Sequence, residues 1–177
     1  TQKFVSDLGL VRDMLYAVRE LHSSVLMYPE ASYSFDGTAA PLPQSIGTCV
    51  KMLGVPLVMI RTYGAFARDP LYNGLQLRKV NVSADMEYLL SPQEIAGASP
   101  AEINALLAER FSFDYFRDQQ EQQIRITEPF RADGLNRVLY KCPHCGKEGA
   151  MTGKGTTLRC GSCGKTYLLT ETGFLQA

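Results

Sequence analysis

Net charge is the first thing this sequence lacks: 18 Lys and Arg balance 18 Asp and Glu over 177 residues. A chain that works by gripping phosphate backbones carries a basic excess, so bulk nucleic-acid binding is disfavoured. Long apolar runs are lacking too. The longest, 55–60, contains Pro56 and falls far short of the ~20 residues a spanning helix needs, so no transmembrane segment is expected in this chain. The opening residues 1–8 have neither a charged n-region nor an apolar h-region, and no initiator Met, so no signal peptide is expected. There is no phosphate-binding loop, no G-x-G-x-x-G and no H-E-x-x-H. Histidine occurs only twice, as His22 and His144. What remains is a composition with 45% hydrophobic and 20% charged residues, which excludes disordered, collagenous and coiled-coil chains. A chain of this length buries roughly 70% of its unfolded surface and accommodates one domain plus a small module.

Hydrophobic spacing sketches the elements. Leu8, Val11, Leu15, Val18 and Leu21, with Met14 beside them, predict a helix over 7–21, with Ser6 and Asp7 as candidate N-caps. The apolar run 24–28, stopped by Pro29, reads as a buried strand, and the Pro-, Gly- and Ser-rich stretch 29–43 as a long functional loop. A helix over 44–53 ending at Gly54 and a strand over 55–60 come next. Val80, Val82, Ala84, Met86, Tyr88 and Leu90 alternate with polar residues, the period of a half-exposed strand. Ser91-Pro92 and Ser99-Pro100 each place a capping hydroxyl before a proline suited to the first helical turn, with Glu in that turn. The second of these helices is expected to end near Arg110, with a further helical stretch over 113–124. Gly97-Ala98-Ser99-Pro100-Ala101 is not a nucleophile elbow, because Pro100 has no N–H to offer an oxyanion. The aromatic cluster Phe111, Phe113, Tyr115 and Phe116 reads as core, and Tyr63, Phe66, Leu71, Tyr72 and Leu75 as a candidate membrane-contact patch. The order of elements is α/β, a mixed sheet with flanking helices over residues 1–137, then a small module over 138–177.

That module carries Cys142-Pro-His-Cys145 and Cys160-Gly-Ser-Cys163, each succeeded by Gly-Lys, an internal repeat of C-x-x-C-G-K with fourteen residues between the pairs. A C-x-x-C turn brings two thiolates to one metal, and Gly146 and Gly164 permit the left-handed turn behind it. Gly153-Lys154-Gly155 supplies a hairpin turn between the knuckles, so the layout is that of a zinc ribbon holding one structural Zn²⁺ on Cys142, Cys145, Cys160 and Cys163. The rival readings are two disulfides, a redox dithiol or an iron–sulfur site; the paired knuckles and the missing secretory signal speak against them. His144 sits inside the first knuckle, where geometry favours the flanking cysteines. Cys49, on a predicted helix beside Val50, reads as a small buried hydrophobe. Five basic residues against two acidic ones leave the module at +3, and four thiolates with Zn²⁺ bring it to about +1, a weak footprint for a polyanion. A structural or partner-docking role is favoured.

Upstream, Tyr28-Pro29-Glu30-Ala31-Ser32-Tyr33-Ser34 comes after the first predicted strand, and Gly54-Val55-Pro56-Leu57-Val58 starts the next about twenty residues later. This pair resembles the third and fourth motifs of the glycerolipid and lysophospholipid acyltransferase family (1-acyl-glycerol-3-phosphate acyltransferase-like), approximately F-P-E-G-T-R-S and V-P-I-V-P-V, separated by a helix. Together with the C-terminal ribbon, the chain looks like the C-terminal part of a bacterial protein of that kind. The resemblance implies acyl transfer from a thioester donor to a lysolipid hydroxyl, a cytoplasmic location at the membrane surface, and an acceptor site that includes Glu30, Ser32, Tyr33 and Ser34. It also implies a His general base with an Asp five positions on. Neither histidine here has that partner, since Met27 stands at that spacing from His22 and Gly149 from His144. The chain itself therefore has no catalytic residue to name, and the His and Asp are expected upstream of Thr1. Ala31 stands where the family has Gly, and Tyr33 where it has Arg. A phenol cannot replace a guanidinium fork on phosphate, so acceptors presenting a bare phosphate are disfavoured. The runner-up is a non-catalytic zinc-ribbon adaptor or a nucleic-acid- or partner-binding protein.

Overall fold

The structure is a computed structural model that describes residues 8–177. It divides into two compact units, one of residues 8–33, 39–61 and 84–112, the other of residues 34–38, 62–83 and 113–177. The boundary expected between residues 137 and 138 falls inside the second unit.

In the first unit, α1 (Leu8–Arg19) and α2 (Ser45–Leu53) lie close to the predicted spans. Ser6 and Asp7, the expected caps of α1, lie outside the described residues. Helix α1 buries Met14 and is tied to α2 where Arg19 Nη2 donates to the Met52 carbonyl at 3.0 Å. Strand β1 (Leu57–Tyr63) pairs with β2 (Ser83–Leu90), and α4 (Pro92–Gly97) and α5 (Pro100–Arg110) come after it. Both Ser-Pro sites are capping boxes. Ser91 Oγ accepts from the Glu94 amide and Glu94 Oε2 from the Ser91 amide, and Ser99 and Glu102 repeat the pattern. Those backbone donors hold both glutamates below the usual carboxylate range. The core is Val50, Ile95, Ile103 and Leu107, packed with Leu57, Leu89 and Leu90. Each of these four buried side chains contributes roughly 1.5–3 kcal/mol. Gly47 lets α2 and α5 approach: its amide donates to Asn104 Oδ1 at 2.8 Å, and a Cβ there would lie 2.2 Å from the Pro100 carbonyl.

The strand expected over 24–28 does not form. Leu26 is 66% and Tyr28 78% exposed, and no neighbouring strand pairs with this segment among the described residues. A run of β-formers becomes a strand only when a neighbour takes up its backbone donors and acceptors. The mixed sheet expected upstream of the ribbon is therefore the two-stranded β1–β2 sheet. The strand expected from Val80 starts at Ser83, because Val80 turns inward onto Ala67, Tyr115 and Ile126.

The second unit contains α3 (Ala65–Arg68), α6 (Tyr115–Glu121) and an antiparallel sheet of β3 (Met151–Lys154), β4 (Thr157–Cys160), β5 (Thr166–Leu169) and β6 (Leu175–Gln176) in sequential order. Helix α6 is shorter than the expected 113–124, and Asp114 caps it by accepting from the Arg117 amide. The core runs from Tyr72, Ala132 and Leu135 through Cys142, Met151, Leu158 and Cys160 to Tyr167 and Leu169. This continuity is why residues 138–177 do not separate as a body of their own. Segment 132–136 lies along β3, with the Ala132 amide donating to the Gly155 carbonyl at 2.8 Å and the Gly153 amide to Asn136 Oδ1 at 3.0 Å. Arg78, buried, donates through Nη2 to Tyr72 OH and to the Arg131 carbonyl, while Arg131 Nε donates to the Leu169 carbonyl.

Of the aromatic cluster read as core, Tyr115 is buried with Phe113 and Phe116 packed partly buried against it, and Phe111 packs against the core of the first unit. The candidate membrane patch does not assemble. Tyr72 is 1% exposed and Phe66 packs against it with ring centroids 6.0 Å apart, and 5.0 Å from that of Tyr115, both tilted, because aromatic rings gain more from one another than from water.

The packing at Gly47 generates a matched pair of predictions. Gly47→Ala gains helix propensity yet forces backbone against backbone, so it is expected to lower unfolding free energy by about 1–3 kcal/mol. Gly97→Ala, with nothing within 4 Å of the added carbon, is expected to be neutral or to gain up to about 1 kcal/mol. Urea midpoints of the two variants check this; equal shifts would contradict the close approach of α2 and α5.

Candidate metal centre

The two knuckles are built alike. In the first, the Cys142 amide donates to the Lys147 carbonyl at 3.0 Å and the Gly146 amide to the Cys142 carbonyl at 2.9 Å; in the second, Cys160 donates to Lys165 at 2.9 Å and Gly164 to Cys160 at 3.0 Å. Gly146 and Gly164 take φ of 70° and 75°, the left-handed turn that lets the chain fold back under its sulfurs. The repeated C-x-x-C-G-K sequence thus yields a repeated structure. Lys141 and Glu148 bridge the first knuckle by an ion pair at 3.4 Å.

The four Sγ atoms all lie within 4.8 Å of one another. Cys142 and Cys163 are 3.8 Å apart, and so are Cys145 and Cys160. A tetrahedron of sulfurs around an ion at about 2.3 Å has edges of about 3.8 Å, so both separations fit four-coordinate thiolate ligation. None of the five cysteines is disulfide-bonded, and sulfurs 3.8 Å apart are well beyond an S–S bond, which speaks against the two-disulfide reading. Cys142 and Cys160 are buried, at 1% and 0% exposure, while Cys145 and Cys163 face solvent.

The thiols compete for charge. The Cys145 backbone amide, then that of His144, pulls Cys142 down to about 6 against the cost of desolvation. The Lys165 amide pulls Cys163 down as well, but desolvation and the three neighbouring cysteines outweigh it and carry that thiol up to about 11. Four thiolates this close repel one another, and a bound cation removes that obstacle; the donor set suits a soft or borderline ion. Tyr167, which sequence spacing does not single out, places its hydroxyl 3.9 Å from Cys142 Sγ. Its position, four residues past Cys163, is the only signal that could have found it.

The upstream candidates form no comparable cluster. Glu30 Oε1 accepts from the Ala40 amide at 3.0 Å, the loop-capping role open to any carboxylate there. Ser32 Oγ donates to the Glu30 carbonyl at 3.2 Å. Tyr33 is 85% exposed. Ser34 Oγ accepts from the Gly37 amide at 2.9 Å and donates to the Thr38 carbonyl at 2.8 Å, closing a turn that Asp36 stabilises by accepting from the Thr38 amide and hydroxyl. Ala31 takes φ of 51°, a conformation that suits glycine, in a turn closed by its amide on the Tyr28 carbonyl. Cys49 is half-buried and desolvation raises its thiol, consistent with a packing role. Among the described residues no helix is long and apolar enough to cross a membrane.

The sulfur cluster predicts uptake of one thiophilic divalent ion per chain, with Cys142→Ser and Cys163→Ser each losing most of it; dialysis against Co²⁺ and then elemental analysis checks the stoichiometry. Full uptake by both variants would contradict four-sulfur ligation. No family model, no curated protein and no solved structure matches this chain.

Proposed function

We propose that Cys142, Cys145, Cys160 and Cys163 hold one structural Zn²⁺, making the C-terminal part of the chain a zinc ribbon. The observation that carries this reading is the pair of 3.8 Å sulfur separations within a cluster no wider than 4.8 Å. Zinc suits four sulfurs in a closed site with no redox demand, and such a site leaves no open position for substrate. Its role is to fold the ribbon. Apparent binding free energies of about 10–16 kcal/mol in zinc-finger peptides exceed what a small apolar core supplies alone.

For the protein as a whole, the reading is a lysophospholipid acyltransferase-like enzyme acting peripherally at the membrane. An acyl thioester is its donor, a lysolipid its acceptor, and Glu30, Ser32, Tyr33 and Ser34 lie on the acceptor side. The order of the two loop motifs around α2 supports it, as does the exposure of Tyr33, which leaves the phenol free to meet a ligand. The general base would come from outside this chain. The second reading, a zinc-ribbon adaptor without catalysis, is favoured by one observation: the Glu30 carboxylate is already engaged by the Ala40 amide.

One measurement tests the metal centre that both readings share, and a second separates the readings. Freshly purified protein is expected to carry one zinc per chain, and chelation to unfold the ribbon; well below one zinc would contradict the structural centre. In the intact protein, acyl transfer from a thioester to a lysolipid is expected, while the 177-residue chain alone is expected to have none, since a general base is worth about 10²–10⁴-fold in rate. Turnover by the chain alone, above that of its Glu30→Ala variant, would show the catalytic residues to lie within it; no turnover by the intact protein would favour the adaptor.

A further inference from the structure

The two C-x-x-C-G-K repeats are equivalent in their backbone hydrogen bonds but differ in the residues beyond the lysine. Extending each by two positions gives Cys142-Pro-His-Cys-Gly-Lys-Glu-Gly149 and Cys160-Gly-Ser-Cys-Gly-Lys-Thr-Tyr167. The eighth position is a glycine in the first repeat and a tyrosine in the second. Tyr167 stands on β5, opposite Leu158 of β4, with its side chain 7% exposed. Its hydroxyl reaches across to the other knuckle, 3.9 Å from Cys142 Sγ. A thiolate bound to a metal carries no proton, so in that contact the hydrogen would come from the phenol. Cys142 is itself sealed from water, whereas Cys145 and Cys163 are open to it.

A metal-bound thiolate retains negative charge on sulfur, and an O–H directed at it is a donor that water cannot supply at a buried position. We propose that Tyr167 is a positioning residue of the metal centre, its phenolic O–H donating to Cys142 Sγ so that one repeat orients a ligand of the other. This rests on the zinc reading above and adds to it a specific outer-shell contact. The contact breaks the equivalence of the two repeats: Cys142 has the Tyr167 hydroxyl beside it, whereas the first repeat has Gly149 at the matching position and so no hydroxyl to offer Cys160.

Tyr167→Phe keeps the ring and removes only the hydroxyl. With Co²⁺ in the site, losing a donor to sulfur raises the energy of the sulfur lone pairs, so the sulfur-to-cobalt charge-transfer band is expected to shift to lower energy in this variant. Zinc affinity, measured by chelator competition, is expected to fall about 10–100-fold, the usual cost of losing an outer-shell partner. Tyr140→Phe, at an exposed tyrosine preceding the first knuckle, is expected to leave both readouts unchanged. An unchanged band in Tyr167→Phe, with or without an affinity change, would reduce Tyr167 to a packing residue and overturn the proposal. If wild-type protein takes up no Co²⁺, the metal centre itself fails, and the role of Tyr167 with it. If only the variant fails to take up metal, wild-type protein loaded with ¹¹³Cd decides. A slowly exchanging Tyr167 hydroxyl proton with a scalar coupling to cadmium supports the bond, and no such coupling overturns it.

Discussion

Four sulfurs drawn together are the constraint on which the second unit depends. Each knuckle spends its backbone hydrogen bonds on folding back under its own cysteines, and the sheet β3–β6 continues directly from them. Cys142 and Cys160 are at once ligand candidates and members of the apolar core that includes Leu158, Tyr167 and Leu169. Four thiolates no more than 4.8 Å apart repel one another, and that repulsion opposes the arrangement. A divalent ion held as proposed would convert that repulsion into attraction.

The core then spreads upstream. Tyr72, Ala132 and Leu135 pack onto the ribbon, and Arg78 and Arg131 join backbone carbonyls on separate segments through buried guanidiniums. Such bonds hold irregular chain in place where no helix or strand does so. The first unit is held differently, by ordinary apolar burial around Val50, Ile95, Ile103 and Leu107 and by two capping boxes that set where α4 and α5 begin.

Local chemistry was readable in the sequence, and pairing was not. The helices at Pro92 and Pro100 announce themselves because a cap is a contact between residues three apart. The sulfur cluster is legible for the same reason, each knuckle being local and the two being alike. Residues 24–28 look like a strand because Val25, Leu26, Met27 and Tyr28 favour one, but a strand needs a partner, and periodicity says nothing about partners. The same limit hid the burial of Tyr72 and the reach of Tyr167 to the opposite knuckle, both of which come from chain segments distant in sequence. In the upstream loop, Glu30 and Ser34 stand out in the sequence through the family resemblance, as members of an acceptor site. Their side chains also close the loop itself, Glu30 on the Ala40 amide and Ser34 on the Thr38 carbonyl.

The proposed chemistry of the second unit turns on whether its four sulfurs hold an ion, and on which ion. X-ray absorption at the zinc edge on purified protein measures both together. Closed four-sulfur ligation predicts a single shell of four sulfurs at about 2.3 Å. A shell containing a nitrogen from His144, an oxygen in the fourth position, or an edge belonging to a different metal would contradict it.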